Sequence, residues 1–211
     1  MRIRARHMAG VLPVLALAVA LASGPVMANA GTFRATTGPV QNTTLGSGLN
    51  VHGSATLTLM GVNLRAHITA SGLSPNLRHL MHIHGVIGAQ NDCPNISDDP
   101  TPDLNGDGFV DTAEGQPKYG PILVTFSTSG STSAAAGLNL STAVVASASG
   151  TIDYTRTFKI PKAVAKDLGD LHVVIHGADL DDSGVYDGVV GSLGAGIPLE
   201  AELPVSCGAI D

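Results

Sequence analysis

The chain of 211 residues contains no tryptophan, and only three tyrosines and four phenylalanines supply larger aromatic rings. Such rings form the stacking surfaces on which proteins commonly bind nucleic-acid bases, so a site of that kind is not expected here. Lysine and arginine are also few, 11 in all against 17 aspartates and glutamates, which gives a formal net charge of −6. We therefore expect neither nucleic acid nor an anionic membrane surface as a partner.

Cysteine is nearly absent, with Cys93 and Cys207 as the only two residues of this type. In an exported protein a disulfide between them is the default interpretation, and two free thiols are the alternative. The chain also lacks a Gly-x-Ser-x-Gly elbow, a phosphate-binding Gly-x-x-x-x-Gly-Lys and a His-Glu-x-x-His zinc motif. Several common hydrolase and nucleotide-binding chemistries are thus not represented.

The first thirty residues are typical of a secretory signal peptide. Arg2, Arg4 and Arg6 precede the apolar run VLPVLALAVALA, and the small residues of ANA allow cleavage just before Gly31. Removal of residues 1–30 takes away three of the eleven basic residues and none of the seventeen acidic ones, so the balance becomes 8 − 17 = −9. No later stretch approaches the length of a membrane span. We expect a secreted, periplasmic or cell-envelope protein without a membrane span after cleavage.

The rest of the chain has the length of one domain. Residues 31–50 show little pattern, and we expect a flexible segment there. From residue 51 the pattern has a period of two, as in ATLTLMGVNLRAHITASGL, which indicates a hairpin of half-buried strands. We predict an all-β protein, an antiparallel Greek-key-like β-sandwich over residues 51–211 with a connector helix in PKAVAKDLG. Further strands are predicted at 80–84, 122–127, 151–160, 171–176 and 199–204.

Two apolar runs end in the same three residues, Ile-His-Gly: HLMHIHG and, much later in the chain, LHVVIHG. Because side chains alternate along a strand, His82 and His84 share one face of the first run, and His172 and His176 share one face of the second. If the two runs pair, three or four imidazoles converge as in a metal site, with His172 or His79 completing the set. The alternative is a structural role, in which these side chains bond to buried backbone groups.

Residues 103–114, DLNGDGFVDTAE, have the spacing of a twelve-residue calcium loop, and we call them the acidic loop. Oxygen ligands are expected at positions 1, 3, 5, 7, 9 and 12, with a glycine at position 6. GQPKYGP follows instead of an amphipathic helix, so we expect a calcium loop without EF-hand helices, with a solvated acidic turn as the alternative. The predicted ligands are Asp103, Asn105, Asp107, the Phe109 carbonyl, Asp111 and Glu114.

A second acidic loop, DLDDSGVYDG and the residues after it, repeats part of this spacing with Asp179, Asp181, Ser183 and Asp187. Position 12 is Val190, so the closing carboxylate is missing. The stretch predicts a weaker metal site, and an ordinary Asp-Gly turn is the alternative.

GLSPNLRHLMHIHG and the later RTFKIPKAVAKDLGDLHVVIHGADLDDSGVYDG together resemble the CHRD domain, named for chordin. The succession of His-x-His, a cysteine, VVIH and a final SCGAI also resembles copper,zinc superoxide dismutase. That resemblance implies copper ligands at His82, His84 and His176 and a disulfide between Cys93 and Cys207. The bridging and zinc-site histidines of that family have no counterpart, because no histidine follows His84 before the late strand. No arginine follows the late histidine before the last cysteine either.

Two functional hypotheses follow. The first is an extracellular copper protein similar to a copper-only superoxide dismutase, with zinc as the lesser alternative metal. The second is a non-catalytic extracellular module of the CHRD kind, stabilised by calcium and a disulfide, that binds another extracellular protein.

Overall fold

The computed structural model describes residues 30–41, 46–194 and 196–211, so the predicted signal peptide lies outside the described residues apart from Ala30. Single 3-10 turns lie at Ala134–Ala136, Leu140–Thr142 and Leu168–Asp170. The strands and α-helices of the described part are, in chain order, β1 (Ala30–Pro39), β2 (His52–Met60), β3 (Asn63–Ser71), β4 (Arg78–His79), β5 (Met81–His84), α1 (Thr112–Tyr119), β6 (Ile122–Thr125), β7 (Val144–Val145), β8 (Thr151–Lys159), α2 (Lys162–Lys166), β9 (His172–His176), α3 (Leu199–Glu202) and β10 (Pro204–Ala209).

Eight strands form one curled antiparallel sheet in the order β6-β5-β9-β10-β1-β2-β3-β8, and β4 pairs separately with β7. Strand β1 links two halves of this sheet, because residues 30–37 pair with β2 while Gly38 and Pro39 pair with β10. We call β1, β2, β3 and β8 the first half and β10, β9, β5 and β6 the second half. Strands distant in sequence lie side by side, as in Greek-key folds. The predicted all-β sandwich is confirmed.

The two halves bury their apolar faces against each other. Alternate residues of β3 are buried, as its period-two pattern predicts. Burial of this kind contributes about 25 cal/mol for each Å² of apolar surface. Because neighbouring residues of a strand point to opposite faces, the histidines of β5 and β9 lie on the face of the second half that is turned away from this core. The shared cluster includes Leu57, Leu64 and Ile68 of the first half and Ile83, Val173 and Ile175 of the second.

The segment expected to be flexible contains a central strand. Residues 30–39 form β1, which pairs on both sides, so the expectation of flexibility is wrong for this part of 31–50. Ala35 and Thr37 are buried while Thr32, Arg34 and Thr36 are exposed. The alternation is therefore present, but a buried threonine and a small alanine on the inner face conceal it in the sequence.

A short helix, α1, begins inside the acidic loop at Thr112 and continues to Tyr119, where the sequence predicted no amphipathic helix. Asp111 caps α1: its Oδ1 accepts a hydrogen bond from the Glu114 amide (2.9 Å), and Glu114 Oε2 accepts one from the Asp111 amide (3.1 Å). This reciprocal pair is a capping box, which starts a helix by satisfying its free amides. Gly115 and Pro117 lie inside α1 and are poor helix formers, which explains why the sequence does not suggest it.

The other predicted elements are confirmed with one exception. Strands β5, β6, β8 and β9 and the connector helix α2 lie where the pattern places them. The strand predicted at 199–204 is instead the helix α3 followed by β10. Glu200 and Glu202 of α3 are both buried, and their carboxylates bond to loop amides. No described helix is long and apolar enough to cross a membrane.

Cys93 and Cys207 form the predicted disulfide, which joins positions 114 residues apart in sequence. The bond connects the segment before the acidic loop to the last strand, β10. It lies in a small buried cluster that packs against the outer face of the second half and includes Val40, Val110, Tyr119, Val174 and Cys207.

Candidate metal centre

Adjacent strands of the second half bring three histidines together. Strands β5 and β9 are antiparallel partners, with His84 opposite His172. His82 and His84 of β5 and His176 of β9 each place a ring nitrogen within 4.8 Å of the others. All three side chains are buried, with at most 2% of each residue exposed. The two runs that end in Ile-His-Gly therefore pair, and we call these three residues the histidine triad.

Each ring of the triad directs one nitrogen at a backbone carbonyl. The three bonds run from His82 Nε2 to Gly137 (2.9 Å), from His84 Nδ1 to Gly120 (2.9 Å) and from His176 Nδ1 to Glu202 (2.7 Å). A carbonyl oxygen can only accept, so each of these nitrogens carries a proton and donates it. In a neutral imidazole the other nitrogen then holds a free lone pair.

Two of the nitrogens with free lone pairs lie close together, and the third is buried. His84 Nε2 and His176 Nε2 are 3.4 Å apart, and His82 Nδ1 is buried without a hydrogen-bond partner. The ring centroids of the triad are 5.0–5.5 Å apart. Each ring N–H is already hydrogen-bonded to a carbonyl, so no N–H remains to form a hydrogen bond between two of these nitrogens. A cation is the partner that such an arrangement fits.

The three rings of the triad are not protonated at neutral pH. Burial lowers the pKa of His84 to about 3, with a further contribution from the charge of His176, and burial lowers the pKa of His176 to about 4. For His82 burial is again the largest cause of a strongly lowered pKa, and the neighbouring imidazoles of His176 and His84 add to it. The rings are therefore neutral at pH 7, which is the protonation state that a metal ion requires.

The surroundings of His84 fix the orientation of its ring. The edge-on ring of Tyr119 lies 4.6 Å away between centroids. Gly120, whose carbonyl accepts from His84, has a φ of 78°, and a Cβ there would lie 2.6 Å from the carbonyl carbon of Gly85. Only glycine fits this position. Hydrogen bonds that hold a ligating histidine in one tautomer are a general feature of metal sites.

His79 lies outside the triad and contacts the backbone of one triad residue. Its Nδ1 is 3.1 Å from the carbonyl oxygen of His176, and its Nε2 is 3.1 Å from that of Ser74. The side chain is completely buried, and the Tyr186 hydroxyl lies 3.4 Å from Nδ1. A neutral imidazole donates to only one of these carbonyls, but both ring nitrogens lie against protein oxygens, so His79 supports the backbone around the triad instead of offering a ligand atom.

His172 is buried opposite His84, but it is not one of the three residues whose ligand atoms lie together. Its Nδ1 has no hydrogen-bond partner. Burial lowers the pKa of His172, and the nearby charge of Asp92 partly opposes this change. His172 therefore does not complete the set, in contrast to one of the two options that the sequence left open.

The acidic loop satisfies its carboxylates with its own backbone. Asp103 accepts from the amides of Gly106 (2.7 Å) and Gly108 (3.0 Å), and Glu114 Oε1 accepts from those of Leu104 (2.8 Å) and Asn105 (3.0 Å). Position 12 thus reaches back to the start of the loop, as the spacing predicts. Among the described residues, however, its carboxylates are not among the groups that bring three ligand atoms within 4.8 Å. The remaining predicted ligands also bond locally: Asp107 to the Phe109 amide, Asn105 to the Asp107 amide and Asp111 to the Glu114 amide.

The second acidic loop gains a carboxylate that the sequence does not reveal. Glu200 of α3 approaches Asp179 and Asp181, and the three place carboxylate oxygens within 4.8 Å of one another. Glu200 accepts from the amides of Leu180 (2.7 Å) and Asp187 (2.8 Å). It lies outside the twelve-residue spacing, and the one signal for it in the sequence is that PLEAELPV carries two glutamates, Glu200 and Glu202, among apolar residues. The Ser183 hydroxyl donates to the Val185 carbonyl, and the side chain of Asp187 is exposed.

Comparison with known proteins assigns no family, because no protein-family model and no curated protein matches the chain. The geometry of the histidine triad therefore carries the functional assignment.

Proposed function

We propose that the protein is an exported copper-binding β-sandwich whose ligands are His82, His84 and His176. The observation that carries this proposal is a set of three buried imidazoles that each place a ring nitrogen within 4.8 Å of the others, together with a buried His82 Nδ1 that has no hydrogen-bond partner. Leaving a buried polar atom unpaired costs about 1–3 kcal/mol. A cation that accepts all three lone pairs removes this cost.

The donor atoms favour copper among the predicted metals. Both cysteines are consumed in the disulfide, so the triad offers imidazole nitrogen alone. Imidazole suits copper and zinc, whereas calcium prefers oxygen ligands. A given site of this type generally binds Cu²⁺ more tightly than Zn²⁺. Copper is therefore the proposed metal, and zinc is the competitor to be tested against it.

Copper, when bound, supplies one-electron chemistry. The protein holds the rings in fixed tautomers through three carbonyls and buries them from bulk water. Superoxide dismutation is the reaction that the sequence resemblance implies. The chain lacks the bridging histidine and the late arginine of that family, so our proposal is copper binding, with dismutation as an activity to assay on the loaded protein.

The test is metal content after loading the oxidised protein with copper, zinc and calcium together and then desalting it. We expect about one copper per chain, as for one three-histidine site. The triple variant His82→Ala/His84→Ala/His176→Ala should lose this copper. His67→Ala is the matched control, because His67 is exposed on β3 and pairs only with Asp153; it should bind copper like the wild type.

Two results would contradict the proposal. One is wild-type protein that retains no copper, and the other is copper that persists in the triple variant. Circular dichroism of each variant checks that loss of metal does not reflect loss of fold. The copper content of a single His82→Gln variant is a second measurement, because this variant removes one ring but retains a polar side chain of moderate size.

The alternative proposal is a non-catalytic extracellular module held together by calcium and the disulfide. It is supported by the acidic loop, in which Glu114 closes the twelve-residue ring back onto Leu104 and Asn105. Retention of calcium without copper in the metal analysis would favour this alternative, and a protein partner would then have to be sought.

A further inference from the structure

A pocket of about 390 Å³ opens beside His84 of the triad. It lies between α1, the start of β6 and the turn around residues 134–138. Its size is near the lower end of small-molecule sites, which are roughly 300–1,000 Å³. The pocket therefore has room for a small molecule next to a ring of the proposed metal site. Its apolar wall consists of Pro121, Ile122, Ala134, Ala135, Leu138 and Leu193.

The polar groups of the pocket are all uncharged. Thr112, Gln116 and Tyr119 are contributed by α1. The Thr112 hydroxyl donates to the Glu202 carbonyl (2.7 Å), and the Tyr119 hydroxyl donates to the Thr112 carbonyl (3.3 Å). Both hydroxyl protons are thus already used. Gln116 adds an amide at the exposed rim.

Negative charge lies behind this wall, and no lysine or arginine lines the pocket among the described residues. The Glu202 carboxylate accepts from the amide of Leu193 (3.2 Å), which is itself a wall residue. Asp111 directly precedes Thr112. Lys118, also on α1, is paired with Asp98 instead. An anion that entered the pocket would lose water and approach the Glu202 and Asp111 carboxylates with no lysine or arginine among the described wall residues to offset them, so the bound metal alone would attract it.

We infer that this pocket admits an uncharged small molecule, with an apolar body and one lone-pair group, to the metal of the triad and that it disfavours anions. The inference rests on the proposed copper site and specifies the class of molecule that reaches it. It makes superoxide, an anion, a poor substrate. The alkyl wall binds the body of the molecule, and its lone-pair group faces His84 and the metal.

The test compares pyridine, a neutral donor, with azide, an anion, on the copper-loaded protein. Electron paramagnetic resonance follows pyridine binding, and the azide-to-copper absorption band follows azide. Ala135→Trp, at the exposed rim, should weaken pyridine binding at least about tenfold because the indole fills the pocket. Gln116→Lys should raise azide affinity about fivefold by adding one positive charge near the metal. Thr155→Lys, exposed on β8 in the first half, makes the same charge change far from the pocket and should leave both affinities unchanged.

A second measurement separates failure of this inference from failure of the copper proposal. Amide NMR spectra of the metal-free protein should shift at Gln116, Ala134 and Leu138 on addition of pyridine, and these shifts should vanish in Ala135→Trp. If copper does not bind but these shifts occur, the copper proposal fails while the neutral-ligand pocket stands. The inference is overturned if copper binds but neither pocket variant has its expected effect. That outcome would be equal azide affinity in Gln116→Lys and Thr155→Lys, together with equal pyridine affinity in wild type and Ala135→Trp.

Discussion

The histidine triad and the acidic loop both gather side chains that bind metals, but they treat those side chains differently. In the triad each ring donates its N–H to a backbone carbonyl, which leaves the other ring nitrogen with a free lone pair. In the loop the carboxylates of Asp103 and Glu114 accept hydrogen bonds from the loop's own amides. The loop is satisfied without an ion, whereas the triad is not.

This difference follows from where the two sets of side chains lie. The triad is held by paired strands whose backbone positions are set by the sheet, so its rings cannot move apart to find other partners. The acidic loop has many free amides of its own, and aspartate side chains readily bond to amides a few residues on. A rigid site that leaves lone pairs without a partner is a stronger indication of a bound ion than a loop whose carboxylates are already hydrogen-bonded.

The largest expected effect concerns the disulfide. Replacing Cys93 and Cys207 by alanine removes a closure of 114 residues, which should lower the free energy of unfolding by about 4–5 kcal/mol in the chain-entropy model. Because the triad is built on strands, copper stoichiometry should remain near one per chain under conditions in which the variant is folded. Urea unfolding and metal analysis of the same samples measure both quantities. Loss of copper from folded variant would show that the site depends on the tethered loop after all.

Copper should stabilise the protein almost as much. A ligand present at 1,000 times its dissociation constant adds about 4 kcal/mol to the free energy of unfolding, which corresponds to a rise in Tm of roughly 10 °C for a chain of this size. Calcium at the same concentration should give a much smaller rise, since the acidic loop is already paired. Differential scanning calorimetry with each ion provides the comparison. An equal rise with calcium, or none with copper, would reverse the contrast between the two sites.

A pH dependence is expected in the metal-free protein. The pKa of His176 is about 4 in the folded protein, against the ordinary histidine value of 6.5 that applies to the unfolded chain. Between these values the unfolded chain binds a proton that the folded protein does not, so stability is greatest above pH 6.5 and falls as the pH is lowered towards 4. His176 alone should account for about 3 kcal/mol of this loss. Denaturant unfolding at several pH values should show a flatter profile in the triple variant than in His67→Ala.

The sequence is sufficient to predict the main features of this site but not its details. Apolar runs predict β5 and β9, and their shared Ile-His-Gly endings predict that their histidines meet if the two strands pair. The tautomers could not be predicted, because they depend on the carbonyls of Gly120, Gly137 and Glu202, which come from distant segments. Long-range partners of this kind leave no local pattern.

Elsewhere the missed features have similar causes. Strand β1 is concealed because Thr37 is buried, and its hydroxyl accepts from Ser206. Glu200 was overlooked as a neighbour of Asp179 because α3 brings it there from outside the loop spacing. Helix α1 begins through a capping box, a local signal, but its glycine and proline argue against it. For β1 and Glu200 tertiary contacts outweigh local propensity, whereas in α1 one local signal outweighs two others.

The smallest expected effect tests whether the acidic loop is self-sufficient. Glu114→Gln replaces one carboxylate oxygen with an amide nitrogen, which cannot accept a hydrogen bond, so either the Leu104 and Asn105 amides or the Asp111 amide lose their acceptor. In calcium-free buffer this should lower the free energy of unfolding by about 1–3 kcal/mol. The exposed Asp182→Asn variant makes the same chemical change and should stay within about 0.5 kcal/mol of the wild type. A Glu114→Gln protein as stable as the control would mean that these hydrogen bonds do not hold the loop. A wild type that gains several kcal/mol from millimolar calcium, with the gain lost in Glu114→Gln, would make the loop a second metal site and remove the distinction drawn between it and the triad.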